Sequence, residues 1–203
     1  MLFRSSIEGK YDYAVVDGNL EKNPLKVLLD YLETGDYDVF ASTVMPGPQL
    51  KQAIPFTKEI RKKFPNVKIV WGGYFASNHS QVSINSGYID YIIYGPGDYA
   101  FPMLMEAIET NAELGHIPNL IFKENDSIVK TKKDELYDQD ALPPLPYEKL
   151  NSFYPMRKYI GKSVLGTKTF AYHSSVGCPF KCAFCGVVPI YNARWKGRSA
   201  EKI

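Results

Sequence analysis

The chain alternates short apolar runs with longer segments in which apolar residues recur at helical spacing. Residues 11–16 are rich in β-forming side chains and stop at Asp17-Gly18-Asn19, which is a turn signal. The next segment ends at Gly35. Its apolar residues at helical spacing are Leu25, Leu28, Leu29 and Leu32. This order predicts a strand followed by an amphipathic helix.

The same alternation continues towards the middle of the chain. The pattern predicts strands over residues 39–44, 67–71 and 88–94, and helices over residues 50–64 and 101–108. Pro55 has to kink the first of these helices or lie within its first turn. Short apolar strands between amphipathic helices are typical of a buried parallel sheet with helices on both faces. The sequence therefore predicts a doubly wound α/β domain over residues 1–115.

Turn and linker signals dominate the next part of the chain. Residues 118–122 and 127–131 predict a hairpin around Glu124-Asn125-Asp126. The proline-rich residues 142–146 block both a helix and a central strand, as expected of a linker. We therefore assign residues 116–168 to a small hairpin and a linker.

Composition and charge narrow the class of protein. With 45% apolar and 14% aromatic residues, the chain can bury a substantial core. The net charge is +2, and the basic run over residues 58–68 is interpreted as the solvated face of a helix, so we expect no nucleic-acid partner. No apolar stretch reaches the roughly 18 residues that span a bilayer, and the first residues have no signal-peptide core. These observations predict a soluble, cytoplasmic protein without a membrane partner.

Small or turn-forming residues end the predicted strands. In doubly wound sheets, ligands bind outside the carboxyl ends of the strands. Glycines at strand ends are also common in any α/β fold, so the pattern alone does not assign them a ligand. The candidate binding residues at this edge are Ser42, Thr43, Gly72, Gly73, Gly95, Gly97 and Asp98.

The three cysteines of the chain, Cys178, Cys182 and Cys185, stand close together near its end. Three thiols exclude a zinc site of the Cys₄ kind. A four-iron four-sulfur cluster held by three thiolates would keep one iron open to a small molecule. A zinc site with His173 as the fourth ligand is the main alternative. A disulfide with one thiol left over is disfavoured, because a close trio of thiols without a secretory signal indicates reducing surroundings.

The cysteine spacing resembles that of the radical S-adenosylmethionine enzymes. Phe184 precedes the last cysteine, as in that family, and Gly177 and Gly186 flank the motif. The order of the upstream strand ends resembles the cobalamin-binding domain that precedes the radical domain in one branch. The resemblance implies that Cys178, Cys182 and Cys185 hold a 4Fe-4S cluster and that Phe184 packs near the adenine of S-adenosylmethionine. It also makes cobalamin a candidate ligand of the strand-end residues.

The resemblance implies an enzyme and a reaction. One electron through the cluster cleaves S-adenosylmethionine, and the resulting 5′-deoxyadenosyl radical abstracts hydrogen from a small-molecule substrate. Cobalamin-dependent methyl transfer is a candidate further step. The electron would come from a donor such as flavodoxin or ferredoxin.

The chain departs from the family pattern at both ends. Ten residues precede Tyr11, and residues 5–10 resemble the tail of a helix, so the first strand of the cobalamin domain is expected to be missing. None of His79, His116 and His173 is positioned to be a lower axial ligand of cobalamin. His79, which follows the glycine pair, is interpreted as a surface residue.

At the other end, residues 169–203 resemble the first βα unit of a partial barrel. A helix is predicted after Arg194, with Ser199 as its N-cap. We therefore expect an N-terminal fragment that is inactive in isolation. The alternatives are a non-catalytic module that binds cobalamin or a partner protein, and a zinc-stabilised interaction domain.

Overall fold

The computed structural model of the chain describes residues 6–203. Its centre is a five-stranded sheet of strand order β1-β2-β3-β4-β5. The first three strands are parallel, and β4 and β5 are added to them as an antiparallel hairpin. The predicted α/β class is confirmed, and the hairpin extends the same sheet, because β4 pairs with β3. The strands are Val39–Thr43, Lys68–Gly72, Tyr91–Ile93, Leu120–Glu124 and Ser127–Lys130.

Five helices accompany this sheet in the described part of the chain. The predicted amphipathic helices are present, and Pro55 lies in the interior of α2 while Pro48 occupies its first turn. Gly72 ends β2 and Gly73 begins a short helix, which the sequence pattern does not predict. The helices are α1 (Pro24–Glu33), α2 (Pro48–Lys63), α3 (Gly73–Asn78), α4 (Ser80–Ile84) and α5 (Ala100–Thr110).

Helices cover both faces of the sheet, as the apolar strands predict. On β2, Ile69 and Trp71 pack in a core formed with α1 to α4, whereas Val70 packs in a second core formed with α5. Successive side chains of a strand point to opposite faces, so a continuous apolar strand requires a cover on each side. Trp71 is 1% exposed, and its indole N–H donates to the Thr57 hydroxyl at 3.1 Å.

The predicted strand over residues 11–16 is wrong, because residues 12–17 have no regular secondary structure. Contacts from the opposite side hold this segment. The Asp17 N–H donates to the Tyr154 hydroxyl at 3.1 Å, and the Asp17 carboxylate accepts from the Tyr159 hydroxyl at 2.7 Å. Val15 packs in the same cluster as Tyr154. The β propensity of the segment is real, but strand formation also requires a neighbour within ladder distance.

Ser6 and Ile7 are helical and a turn follows them, which agrees with the predicted helix tail. Ser5 lies outside the described residues.

The remainder of the described chain consists of short elements. β6 pairs with β7, and β8 pairs with β9, both in the antiparallel sense. The helix predicted after Arg194 is wrong over residues 195–197, because these residues pair with β8. Ser199 precedes a 3₁₀ turn and makes no side-chain cap bond. The elements are α6 (Tyr147–Phe153), a 3₁₀ turn (Met156–Tyr159), β6 (Gly161–Ser163), β7 (Gly166–Thr169), β8 (Ser175–Gly177), α7 (Val188–Tyr191), β9 (Trp195–Gly197) and a second 3₁₀ turn (Ala200–Lys202).

None of the helices within residues 6–203 has the length and apolar character needed to cross a membrane.

Candidate functional site

The cysteine loop, defined here as residues 177–186, links β8 to α7. All three cysteines are free thiols; Cys178 and Cys185 are half-buried and Cys182 is exposed. The Cys185 N–H donates to the Cys182 carbonyl at 3.1 Å, which closes a turn between these two ligand candidates. Phe184 is 92% exposed, so its ring is available to a ligand.

The start of the cysteine loop requires glycine. Gly177 has φ +80°, and a Cβ at this position would lie 2.1 Å from the carbonyl oxygen of Arg194. The next residue is anchored to the same oxygen, because the Cys178 N–H donates to it at 2.9 Å. The β8–β9 pair therefore fixes the backbone of the first cysteine.

The end of the cysteine loop is seated on α3. The Gly186 carbonyl accepts a hydrogen bond from the Asn78 side-chain amide at 3.1 Å. A Cβ at Gly186 would lie 2.0 Å from the hydroxyl of Tyr74. Tyr74 and Asn78 belong to α3, which begins at the carboxyl end of β2. The loop is thus held against the sheet edge where the sequence predicts ligand binding.

Lys133, just after β5, holds the segment that follows the cysteine loop. Its ammonium group donates to the carbonyls of Pro189 and Ile190, the second at 3.1 Å. Burial lowers the pKa of Lys133 from 10.5 to about 8, and the positive charges of Lys130 and Arg194 act in the same direction. The lysine therefore joins the segment after β5 to α7 through hydrogen bonds. Burial makes its charged form less favourable than it would be in water.

A buried asparagine, Asn119, connects the loop after β3 to the segment after β5 through hydrogen bonds to backbone atoms. Asn119 is fully buried; its amide donates to the Pro96 carbonyl at 2.8 Å, and its side-chain oxygen accepts from the Asp134 N–H at 3.0 Å. The Asp134 carbonyl in turn accepts from the Arg194 guanidinium at 2.9 Å. No motif in the sequence marks Asn119, Lys133, Tyr74 or Asn78, so the sequence alone does not predict their roles.

Backbone conformation and packing within the protein account for two of the predicted strand-end glycines. Gly73 has φ +87°, and a Cβ there would lie 2.9 Å from the Thr43 methyl carbon. A Cβ at Gly95, whose φ is +128°, would lie 3.4 Å from the Ile190 carbonyl oxygen. Gly73 therefore requires glycine because the end of β1 approaches it closely, whereas Gly95 requires glycine because of its positive φ.

The neighbouring Gly97 and Asp98 are buried. Burial raises the pKa of the Asp98 carboxyl. Both residues remain candidate ligand contacts from the sequence.

A second group of strand-end residues lines a cleft beside β1. This cleft has a volume of about 620 Å³ and lies between β1 and residues 11–19. Ser42, Thr43 and Gly72 are among its lining residues. The structure therefore divides the predicted cobalamin-contact residues into two places, since Gly95 lies beside α7.

The fit of the cysteine loop to a cluster rests on its donor set. Three unbridged thiols lie on one loop, two of them joined by a turn. Within residues 6–203, no group of three or more His, Cys, Asp or Glu side chains is arranged to hold a metal ion, and this includes the combination with His173. His173 and His79 are both exposed. The three thiols have the donor chemistry of iron–sulfur ligation.

The chain is similar in sequence to three curated proteins, whereas no protein-family model matches it. It is 26% identical over 201 residues to an uncharacterized methyltransferase of Pyrococcus horikoshii, covering 98% of this chain and 42% of that protein. It is 26% identical over 153 residues to the anaerobic magnesium-protoporphyrin IX monomethyl ester cyclase of Synechocystis, covering 70% and 28%. The hopanoid C-3 methylase of Methylococcus capsulatus is 23% identical over 179 residues, covering 85% and 32%. The chain spans less than half the length of these relatives.

The fold is that of solved cobalamin-dependent radical enzymes. The radical S-adenosylmethionine methyltransferase TsrM of Kitasatospora setae, solved with cobalamin and a [4Fe-4S] cluster, matches with a TM-score of 0.70 at 18% identity, over 100% of this chain and 40% of that one. The cobalamin-dependent radical enzyme OxsB, solved with aqua-cobalamin and S-adenosylmethionine, matches with a TM-score of 0.68 at 17% identity, over 88% and 24%.

In fold the chain is therefore similar to solved radical S-adenosylmethionine enzymes, and in sequence it is similar to a methyltransferase, a methylase and a cyclase. The resemblance predicted from the cysteine motif is confirmed.

Proposed function

We propose that the whole protein is a radical S-adenosylmethionine enzyme that carries out cobalamin-dependent methyl transfer on a small molecule. The observation that carries this proposal is the docking of the cysteine loop through Asn78, and of the following α7 through Lys133, on the carboxyl edge of the sheet. A methyl transfer that uses both cofactors needs the cluster side and the cobalamin side close together. An electron donor such as flavodoxin or ferredoxin and a cytoplasmic location belong to the same proposal.

The thiolates of Cys178, Cys182 and Cys185 would hold a 4Fe-4S cluster in this enzyme. When bound, such a cluster supplies the electron that cleaves S-adenosylmethionine. The exposed ring of Phe184 would contact the adenine. Gly177 and Gly186 allow the loop backbone to approach β9 and α3, so the surrounding protein limits where the cysteines can lie.

Ser42 and Thr43 would face the cobalamin side, because they lie at the carboxyl end of β1 and are half-buried or exposed. Gly73, Gly95, Gly97 and Asp98 lie around the neighbouring strand ends and stay predicted contacts. No histidine of the chain is assigned as an axial ligand, so we expect bound cob(II)alamin to lack nitrogen hyperfine splitting in its electron paramagnetic resonance spectrum. Such splitting from a protein imidazole would contradict this part of the proposal.

Anaerobic reconstitution with iron and sulfide, followed by metal analysis and an absorbance spectrum, tests the cluster. We expect broad thiolate-to-iron absorption in the wild-type chain and its loss in each single substitution, Cys178→Ala, Cys182→Ala or Cys185→Ala. His173→Ala is the matched control, because it removes the fourth ligand of the alternative zinc site and leaves the three thiols intact.

Near-full iron and sulfide in any single cysteine variant would refute the ligand assignment. Stoichiometric zinc that is lost on His173→Ala would support the zinc-stabilised domain instead.

A further inference from the structure

A chain of hydrogen bonds, called the Asn119 relay below, connects the loop between β3 and α5 to the first cysteine. The Asn119 side-chain amide donates to the Pro96 carbonyl at 2.8 Å, and its side-chain oxygen accepts from the Asp134 N–H at 3.0 Å. The Arg194 guanidinium donates to the Asp134 carbonyl, and the Arg194 carbonyl accepts from the Cys178 N–H, both at 2.9 Å. Each bond involves a backbone atom, so a shift at one end of the relay acts on the chain at the next point.

Asn119, the centre of the relay, is held in place by its own backbone. The residue is 0% exposed and has φ +57°, a left-handed conformation in which asparagine is enriched. Its carbonyl accepts from the Tyr94 N–H at 2.9 Å, and its N–H donates to the Lys132 carbonyl at 3.1 Å. A buried amide that loses its partners is costly, so the side chain has little freedom to turn away from Pro96 and Asp134.

Arg194 joins the relay to the cysteine loop. Its side chain binds the segment after β5, whereas its carbonyl binds Cys178, so both contacts depend on the position of one residue. The following residue, Trp195, pairs with Gly177 in the β8–β9 ladder. Leu136, also in the segment after β5, is buried, and one of its methyl carbons lies 3.4 Å from the Cβ that a side chain at Gly177 would have. The segment therefore reaches the start of the cysteine loop in two ways.

The other end of the relay lies where a ligand can act on it. Residues 95–98 link β3 to α5 at the carboxyl edge of the sheet, which is where doubly wound folds bind ligands. Gly97 and Asp98 are buried, so the loop is packed against the protein. Close-packed interiors transmit a displacement because they compress little. A ligand that presses on this loop would therefore move the Pro96 carbonyl relative to Asn119.

We propose that Asn119 is a positioning residue, which couples the loop of residues 95–98 to Cys178 through Arg194. A coupling between two sites is reciprocal, so restraint of Cys178 also restrains the loop. The use of this coupling in methyl transfer rests on the proposed function, in which Cys178 holds the cluster and the loop contacts cobalamin. The coupling itself is a property of the ligand-free chain and is tested there.

Hydrogen exchange of the Cys178 amide, measured by nuclear magnetic resonance without cofactors, is the first test. Asn119→Gly keeps a residue that tolerates positive φ and removes both side-chain bonds. We expect exchange at Cys178 to accelerate about fivefold or more. Asn125→Gly is the matched control, because Asn125 also has positive φ (48°) but lies exposed in the β4–β5 turn. The control should leave Cys178 within about twofold of the wild-type chain.

A double-mutant cycle distinguishes coupling from general destabilisation. Arg194→Met removes the guanidinium and keeps the backbone carbonyl, and we expect roughly tenfold faster exchange at Cys178. If Asn119 acts through Arg194, the double variant should exchange within about twofold of Arg194→Met alone. Independent effects would instead multiply, to about fiftyfold.

The reverse direction is read at Asp134, which also covers the case that Asn119→Gly does not fold. In Arg194→Met the Asp134 amide, which donates to Asn119, should exchange about threefold faster or more. The Thr131 amide, which donates to the Leu120 carbonyl at 3.0 Å, is the internal control and should not change.

Reconstitution with iron and sulfide tests the reciprocal effect. Exchange over residues 95–101, measured by mass spectrometry, should slow about threefold or more in the loaded wild-type chain and stay unchanged in loaded Asn119→Gly. If the wild-type chain takes up no iron, the proposed function fails, and the ligand-free cycle still decides the coupling.

Three results would overturn the proposal. The first is exchange at Cys178 that is no faster in Asn119→Gly than in Asn125→Gly, and the second is a double variant whose acceleration is the product of the single effects. The third is exchange at Asp134 that Arg194→Met leaves unchanged, or exchange over residues 95–101 that is the same in the loaded and ligand-free wild-type chain.

Discussion

Replacing Gly177 by alanine should disrupt the point at which the cysteine loop leaves β8. Gly177 has φ +80°, a left-handed conformation that costs an alanine about 1–2 kcal/mol. The added Cβ would lie 2.1 Å from the Arg194 carbonyl oxygen, a backbone atom that cannot rotate away. The strands β8 and β9 therefore have to separate at this position.

Separation would break the hydrogen bond from the Cys178 N–H to the same Arg194 oxygen, which is 2.9 Å long. Its loss adds about 1 kcal/mol, so the local cost is roughly 2–3 kcal/mol. Because each 1.4 kcal/mol is a factor of ten in an equilibrium constant, hydrogen exchange of the Cys178 amide should accelerate by roughly 30- to 150-fold. If the free energy of opening the β8–β9 pair is smaller than this cost, all protection of the Cys178 amide should be lost.

Hydrogen exchange measured by nuclear magnetic resonance gives this rate for a single amide. Gly166→Ala is the matched control, because nothing lies within 4 Å of a Cβ at Gly166. Gly177→Ala should also retain less iron after reconstitution than Gly166→Ala, because only the change at Gly177 displaces Cys178. An acceleration of less than about threefold at Cys178 would refute the clash argument, because it corresponds to well under 1 kcal/mol.

Three further predictions concern the core and the loop anchors. Thr57→Val should lower the free energy of unfolding by about 1–3 kcal/mol in urea titrations, because it leaves the buried Trp71 N–H without an acceptor, whereas Thr57→Ser should cost less. Between pH 8 and 10.5 the unfolded chain holds the Lys133 proton more tightly than the folded chain, so unfolding free energy should rise with pH across this window, and Lys133→Met should remove that rise. Asn78→Ala should increase amide exchange over residues 186–190 without changing exchange in β2. Exchange over residues 186–190 that is the same in the variant and the wild-type chain would contradict the anchoring role.

The elements that the sequence predicts well are those whose signal is local. Helix α1 follows from leucines at helical spacing and ends before Gly35, whose φ is +79°. The parallel strands follow from apolar runs between such helices. The hairpin strands β4 and β5 follow from the turn at Asn125 and Asp126, both of which have positive φ. Each of these signals lies within a few residues of the structure it specifies.

The failures share a physical cause, which is that the deciding contact is remote in sequence. Residues 11–16 have strand propensity but pair with no described strand, and the adjacent Asp17 is held by Tyr154 and Tyr159, more than 130 positions away. The cysteine motif identifies its own residues by spacing. The spacing does not identify the residues that hold the loop and α7, because Asn78 lies 108 positions from Gly186 and Lys133 lies 57 positions from Ile190.

The strand-end glycines show how one sequence signal can have a cause other than the expected one. A glycine at the end of a parallel strand is compatible with a ligand lying on the backbone, and equally with another chain segment lying there. At Gly73 the close neighbour is the Thr43 methyl carbon, and at Gly186 in the cysteine loop it is the Tyr74 hydroxyl, so another part of the protein occupies the space beside each glycine. Substituting either glycine should therefore displace a neighbouring segment even when no ligand is bound. A ligand-contact role alone would leave the ligand-free protein unchanged, and hydrogen exchange on the ligand-free chain separates the two explanations.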